Sequence, residues 1–296
     1  MNYYNIWIGE TCRQGIFLQP SDGAREAEIM PTIECNGVRL AYEERGAGAP
    51  AFVFVHGWTG NRSTFAPQVE YFSRERRVIT LDLRGHGESE KPDGDYTIEI
   101  FANDVARLIE HLELGKVIAV GHSMGGAVVL QLAADYPHLV AGVAMLDPAP
   151  FSIPPEALPK FQAMADEIEA GHQESRQQFV TGRMFSPLSE PAFVERITAI
   201  MLSTPNHVAA RAARGMTAFD GPAVAARCTV PALHIAAASP LNSPHQMSQW
   251  LPGVVHGWTV GGGHFHQIEA PEQVNAMLEA FVRCHVPGVA GQSASR

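Results

Sequence analysis

Short, wholly apolar runs alternate with amphipathic stretches over most of the chain. Ala51–Val55 is one such run, and Val117–Val120, Val140–Leu146 and Ala232–Ala237 are others. Runs of this length suit strands buried on both faces of a parallel sheet. Arg77–Leu81 and Val254–Val260 extend the set. Between these runs the spacing predicts helices over Ser63–Phe72, where Phe65, Val69 and Phe72 share a face, over Ile98–Leu112 and over Ala127–Ala134, with a closing helix over Glu272–Val282. Ahead of them, Thr32–Cys35 and Val38–Glu44 flank Asn36-Gly37, a strong hairpin signal. Strands that alternate with helices make a doubly wound α/β fold with a mostly parallel sheet.

The alternation breaks after Val140–Leu146. Pro150, Pro154, Pro155 and Pro159 mark an exit, and no buried-strand pattern returns until about Arg227. Helical spacing falls instead over Glu156–Ala170, Glu174–Met184, Ala192–Leu202 and Val208–Ala218. The expected organisation is a core of residues 30–148 and 227–286, interrupted by a helical cap at 149–226 over the carboxyl edge of the sheet. Weak periodicity marks 1–29 as a leader, expected to be disordered, and 287–296 as a loose polar tail. The cap's Phe151, Phe161, Met164, Phe179, Met184, Phe185 and Met201 can line an apolar pocket or pack the cap onto the core.

The totals narrow the function classes. The 296 residues, 46% hydrophobic and 18% charged, can bury a sizeable core. A formal net charge of −10 argues against nucleic acid and anionic membrane as partners. No apolar run approaches a membrane span. The four cysteines are scattered without a Cys-x-x-Cys pair, which speaks against a disulfide framework or thiolate zinc site. With no secretory signal pattern at the start, the expected location is cytoplasmic. Self-association is left open.

Chemistry enters at Gly121-His122-Ser123-Met124-Gly125-Gly126, between a strand and a helix. Gly-x-Ser-x-Gly in that context is a nucleophile elbow. A sharp turn lifts the serine hydroxyl clear of the sheet, and small residues two positions before and after let the turn close. The Met124 amide, at the helix N-terminus, then points at negative charge developing on a substrate. A serine hydroxyl needs a base, and the base needs an orienting acid. His264, after Gly261-Gly262-Gly263 at the end of the last strand, is the candidate base. His266 is its rival, whereas His56, His86 and His122 sit on strand-end turns where structural hydrogen bonding is the expected role. His264-x-His266 lacks a carboxylate or cysteine at ligand spacing, so no metal site is expected.

From Met30 to Val286 the chain resembles the α/β-hydrolase fold superfamily. The resemblance rests on His56-Gly57, Arg84-Gly85-His86-Gly87-Glu88-Ser89, the elbow, and Gly263-His264-Phe265, in that order. It implies a triad with Ser123 as nucleophile and His264 as base, and an oxyanion hole formed by the backbone N–H groups of Met124 and Trp58. It implies no cofactor and no metal. Most members carry the acid after the strand that follows the cap, but here Ala238-Ser239-Pro240-Leu241-Asn242-Ser243 holds no carboxylate. Asp147, at the end of the strand after the elbow helix, is the candidate, as in haloalkane dehalogenases and zearalenone-lactone hydrolases; Asp220 and Asp82 are weaker rivals. Adjacent parallel strands lie ~4.8 Å apart, so a carboxylate on the neighbouring tip can reach the imidazole.

The expected substrate is a small, fairly apolar ester or lactone, N-acyl-homoserine lactones and zearalenone-like macrolactones among them. Alternatives are carbon–carbon bond hydrolysis of the aromatic ring-cleavage type, cofactor-free perhydrolysis, and a ligand receptor that kept the fold. A serine at the elbow disfavours dehalogenase and epoxide hydrolase activity, which use aspartate there.

Overall fold

The computed structural model describes residues 31–288. The expected leader and nearly all of the expected tail lie outside these residues. The apolar runs form the strands β1 (Thr32–Cys35), β2 (Val38–Arg45), β3 (Phe52–Val55), β4 (Val78–Leu81), β5 (Val117–His122), β6 (Val140–Leu146), β7 (Ala232–Ala236) and β8 (Val255–Trp258). They make one sheet in the order β1-β2-β4-β3-β5-β6-β7-β8. β1, β2 and β4 pair antiparallel in succession, and every other pairing is parallel.

The parallel strands are covered on both faces. Phe52, Phe54, Ile118, Val120, Leu146 and Ile235 point into one apolar layer with α1 (Ala66–Phe72) and the closing helix (Pro271–His285). Val53, Val55, Ala119, Val143 and Met145 point the other way, towards α2 (Ile98–His111) and α3 (Met124–Asp135). Two-residue alternation with apolar side chains at both phases is why these strands read as unbroken apolar runs.

Between β6 and β7 the chain makes α4 (Leu158–Glu169), α5 (Gln173–Arg183), α6 (Pro191–Ser203), α7 (Asn206–Thr217) and the short α8 (Gly221–Ala225). α4 packs on α7, and Arg214 bridges to Asp166 and Glu169 across that contact. After β7 come α9 (Pro244–Trp250), the one-turn α10 (His266–Glu269) and α11 (Pro271–His285).

Some elements differ from expectation. Ser63–Phe72 is a 3-10 turn at Arg62–Phe65, capped by the Asn61 side chain, followed by α1 with a proline in its first turn. The last strand stops at Trp258, because both backbone groups of Val260 are taken by the Gln273 side chain instead of a strand. Helix α9 opens with a capping box between Ser243 and Gln246.

The crossing of β5 into α3 leaves no room for side chains. A Cβ on Gly121 would lie 2.0 Å from the Gly125 carbonyl oxygen, and one on Gly125 would lie 2.1 Å from the Val55 carbonyl oxygen. Gly121→Ala should therefore cost more than about 3 kcal/mol or prevent folding, as overpacking against backbone does. Urea denaturation measures this, and a change below about 1 kcal/mol would contradict the packing described.

Candidate active site

Four loops meet at the carboxyl edge of the sheet, where open α/β sheets bind ligands. Ser123 sits between β5 and α3 at φ 54, ψ −120, a conformation sterically disfavoured for a residue with a side chain. Its N–H donates to the Leu146 carbonyl at 3.0 Å, which ties the elbow to the tip of β6. Asp147 follows directly, with φ 38, and its own N–H reaches the Ile235 carbonyl at 2.9 Å. Asp147 is 1% exposed and His264 is 8% exposed.

The structure brings these two together: His264 Nδ1 lies 2.7 Å from Asp147 Oδ2. A carboxylate only accepts, so Nδ1 carries a proton, and in the neutral form of the ring Nε2 holds the lone pair. The other carboxylate oxygen, Oδ1, accepts from the Leu241 N–H at 3.1 Å. The post-cap loop thus supplies an amide to Asp147 rather than a carboxylate of its own. Next to it, the buried Asn242 donates to the Pro148 and Ala149 carbonyls and accepts from the Phe151 N–H. Asn242 pins the chain that leaves Asp147. A polar residue in an apolar loop was its only signal in the sequence.

The ring of His264 lies beside that of His122, with centroids 4.6 Å apart. His122 Nε2 donates to the His264 carbonyl at 2.8 Å, which fixes the base loop against the residue preceding Ser123. Ser123 and His264 are not hydrogen-bonded to each other in this structure. Contacts of this kind often tighten only when substrate is bound.

The turn after β3 lies against the elbow: a Cβ on Gly57 would come within 3.0 Å of the Ser123 Cβ. This turn runs Gly57-Trp58-Thr59-Gly60, closed by Gly60 N–H on the Gly57 carbonyl at 3.0 Å. His56 supports it from below. Its Nε2 accepts from the Leu83 N–H at 3.0 Å, so its Nδ1–H donates to the Gly57 carbonyl at 2.8 Å. Among the described residues, neither the Trp58 N–H nor the Met124 N–H is spent on another protein group. Met124 is the first residue of α3, where amides lack an intrahelical partner. The Trp58 indole is buried, donating to the Ala209 carbonyl at 2.8 Å and meeting Phe179 edge-on.

The rivals are engaged elsewhere. His266 enters α10 and faces the Thr259 hydroxyl at 3.0 Å. Asp82 pairs with Arg62 and accepts from the Arg62 and Glu88 amides. Asp220 caps α8 through the Ala223 N–H. His86 is buried with Nδ1 on the Arg84 carbonyl. Of the cap residues named above, Phe151 is fully buried against Phe219 and Trp250, so it packs rather than lines. Phe185 stacks on Phe265, next to His264. Among the described residues no group of three or more His, Cys, Asp or Glu side chains could hold a metal. No described helix is long and apolar enough to cross a membrane.

A model of the alpha/beta hydrolase fold family matches residues 50–271. The chain belongs to this family. Over 153 residues it is 37% identical to 2-(acetamidomethylene)succinate hydrolase of Mesorhizobium japonicum, a match covering 52% of this chain and 53% of that relative. The chain thus spans about half the length of the curated relatives it first matches. Among solved structures it is similar to a thermophilic esterase from Thermogutta terrifontis (TM-score 0.78, 28% identity, 86% of this chain and 98% of that one). It is also similar to the enol-lactonase from Burkholderia xenovorans LB400 (TM-score 0.77, 28% identity, 85% and 99%). Its fold is the one these solved enzymes share.

Besides His264, five histidines are buried among the described residues, where the charged ring is disfavoured. Burial pushes His56, His234 and His266 down to about 4 and His86 to about 3, and it holds His122 well below its ordinary value. The unfolded rings titrate near ~6.5. Below that pH the unfolded chain binds protons that the folded chain refuses, so acid favours unfolding. The stability is full above pH ~6.5 and is lost as pH falls towards about 4, each ring adding about 1.4 kcal/mol per pH unit to the slope. The thermal midpoint should drop by more than about 5 °C between pH 7 and pH 5. Scanning calorimetry across that range checks this, and a flat profile would refute it.

Proposed function

We propose that this hydrolase cleaves small, fairly apolar carboxylic esters or lactones through an acyl-enzyme. The observation that carries the reading is the 2.7 Å contact of His264 Nδ1 with Asp147, the residue after the Leu146 whose carbonyl holds the N–H of the strained Ser123. In the proposed reaction the Ser123 hydroxyl attacks the acyl carbon as His264 Nε2 takes its proton. Asp147 holds the ring and stabilises the imidazolium. The Trp58 and Met124 amides receive the tetrahedral oxyanion. Collapse expels the alkoxide, which leaves with the proton from His264. Water then gives a proton to His264 and attacks the acyl group, and the carboxylic acid departs as Ser123 is restored. The substrate is a small molecule, and the steps use only groups of this chain.

The likeness to a succinate hydrolase supports a second reading, a substrate bearing carboxylates. Arg176 bears on this choice. It is the one buried lysine or arginine among the described residues, and its two terminal nitrogens are spent on the Thr204 and Leu202 carbonyls. A dianionic substrate in a buried pocket would call for a buried cation with its terminal N–H groups available, and those of Arg176 are already engaged, which favours the apolar ester or lactone.

Ser123→Ala should abolish turnover of p-nitrophenyl esters and of lactones while leaving the melting temperature nearly unchanged. Asp147→Asn should lower kcat by about 10³- to 10⁴-fold, through the wrong imidazole tautomer. Full activity in Ser123→Ala would end the assignment. Faster turnover of a succinate-type amide than of any ester or lactone would select the second reading.

A further inference from the structure

The turn that carries the Trp58 amide is strained. Gly60 closes on Gly57, so Trp58 and Thr59 are its two central residues, and Thr59 has φ 54. A turn with positive φ only at its third residue is of type II character and ordinarily takes glycine there. A β-branched residue in that conformation is an outlier. Such strain persists only where the surroundings over-determine it.

His56 holds the Gly57 carbonyl from below. The bonds from above involve Thr204, in the stretch joining α6 to α7, and Ala209, in the first turn of α7. The Thr204 hydroxyl donates to the Thr59 carbonyl at 3.2 Å, and the Trp58 indole N–H donates to the Ala209 carbonyl at 2.8 Å. Thr204 is itself held. Its carbonyl accepts from Arg176 Nη1 at 2.8 Å, and Arg176 Nη2 reaches the Leu202 carbonyl at 2.6 Å. A buried guanidinium on the last carbonyls of α6 both caps the helix and complements the negative end of its dipole. Arg176 and Thr204 are 1% and 3% exposed, so little water competes for these bonds.

We infer that Thr204 is a positioning residue for the oxyanion hole, and that the segment Thr204–Ala209 of the cap clamps the Gly57–Gly60 turn in the geometry that presents the Trp58 N–H. The inference rests on the proposed acyl-transfer reading for its catalytic consequence. Its structural content, that the cap holds this turn, stands apart from that reading. When the clamp is released, the Thr59 strain relaxes and the Trp58 amide swings off the position where the oxyanion forms. Ground-state binding, set by the apolar walls, changes little.

The test compares the wild type with Thr204→Val, which keeps the shape and removes the hydroxyl, and Thr204→Ser, which restores a donor. Two measurements are made on each: ester kinetics, and hydrogen exchange of the peptide covering residues 56–60. Thr204→Val should lower kcat at least about 10-fold, part of the 10²- to 10³-fold that loss of one oxyanion donor costs. KM should stay within about twofold. Exchange in the 56–60 peptide should speed up while the elbow peptide stays protected. Thr204→Ser should recover most of both. If Thr204→Val does not fold, Trp58→Phe removes the second anchor and should show the same pattern. Unchanged exchange in whichever variant folds overturns the clamp, as does a loss confined to KM. A wild type inactive on every ester and lactone overturns the hydrolytic reading alone, because exchange still decides the clamp.

Discussion

A serine does not rest at φ 54 and ψ −120 unless its neighbours leave it no alternative. Here the constraint is spatial. Gly121 and Gly125 bring the strand, the helix and the Val55 carbonyl within distances that no Cβ could occupy. The same closeness fixes where everything else must come from. With β5 central in the sheet, only the tips of its neighbours can touch Ser123. β3 brings the Gly57–Gly60 turn on one side and β6 brings Asp147 on the other, bonded through Leu146 to the serine's own amide. The base loop then has to arrive from beyond β8 and is fastened by His122.

Much of this was legible in the chain. Strands covered on both faces have no polar phase, so β3, β5, β6 and β7 appeared as apolar runs with ends correct to a residue or two. The cap helices were found by their spacing, the position after the last strand brought His264 forward, and the resemblance to the α/β-hydrolase superfamily brought Asp147 forward. What could not be read was set by backbone atoms. The amide of Leu241 on Asp147 and the carbonyl of Ala209 on Trp58 belong to residues whose side chains carry no message. The choice of His264 over His266 rests on where a one-turn helix begins, and single-turn helices have too few residues to show a period. Helix α9 is a different kind of miss. Its capping box, Ser243 to Gln246, stood in the sequence beside a proline in the first turn.

The helical segment between β6 and β7 is bonded into several of the loops at the strand tips. The polypeptide leaves the sheet at Asp147, and Asn242 bolts the Pro148 and Ala149 carbonyls that follow to the loop whose Leu241 N–H binds the Asp147 carboxylate. Farther along, the segment between α6 and α7 reaches the turn after β3, and the loop at Ser186–Ser189 reaches Glu269, whose carboxylate also accepts the Gly263 N–H beside the base. The cap therefore touches the surroundings of Asp147, the Gly57–Gly60 turn and His264. Divergence in the cap would tune geometry as well as pocket shape, which is one physical reason why a shared fold leaves the substrate open.

The buried imidazoles carry a consequence for the molecule's charge in solution. A tally of residues assigns every histidine the same affinity for protons, yet four of them refuse protons until the solution is near pH 4 or below, and burial holds His122 well below its ordinary value. The folded protein is thus more negative in mildly acidic buffer than its composition suggests. Its isoelectric point lies below that of its own unfolded chain, and the two forms separate on a focusing gradient with the folded band on the acidic side.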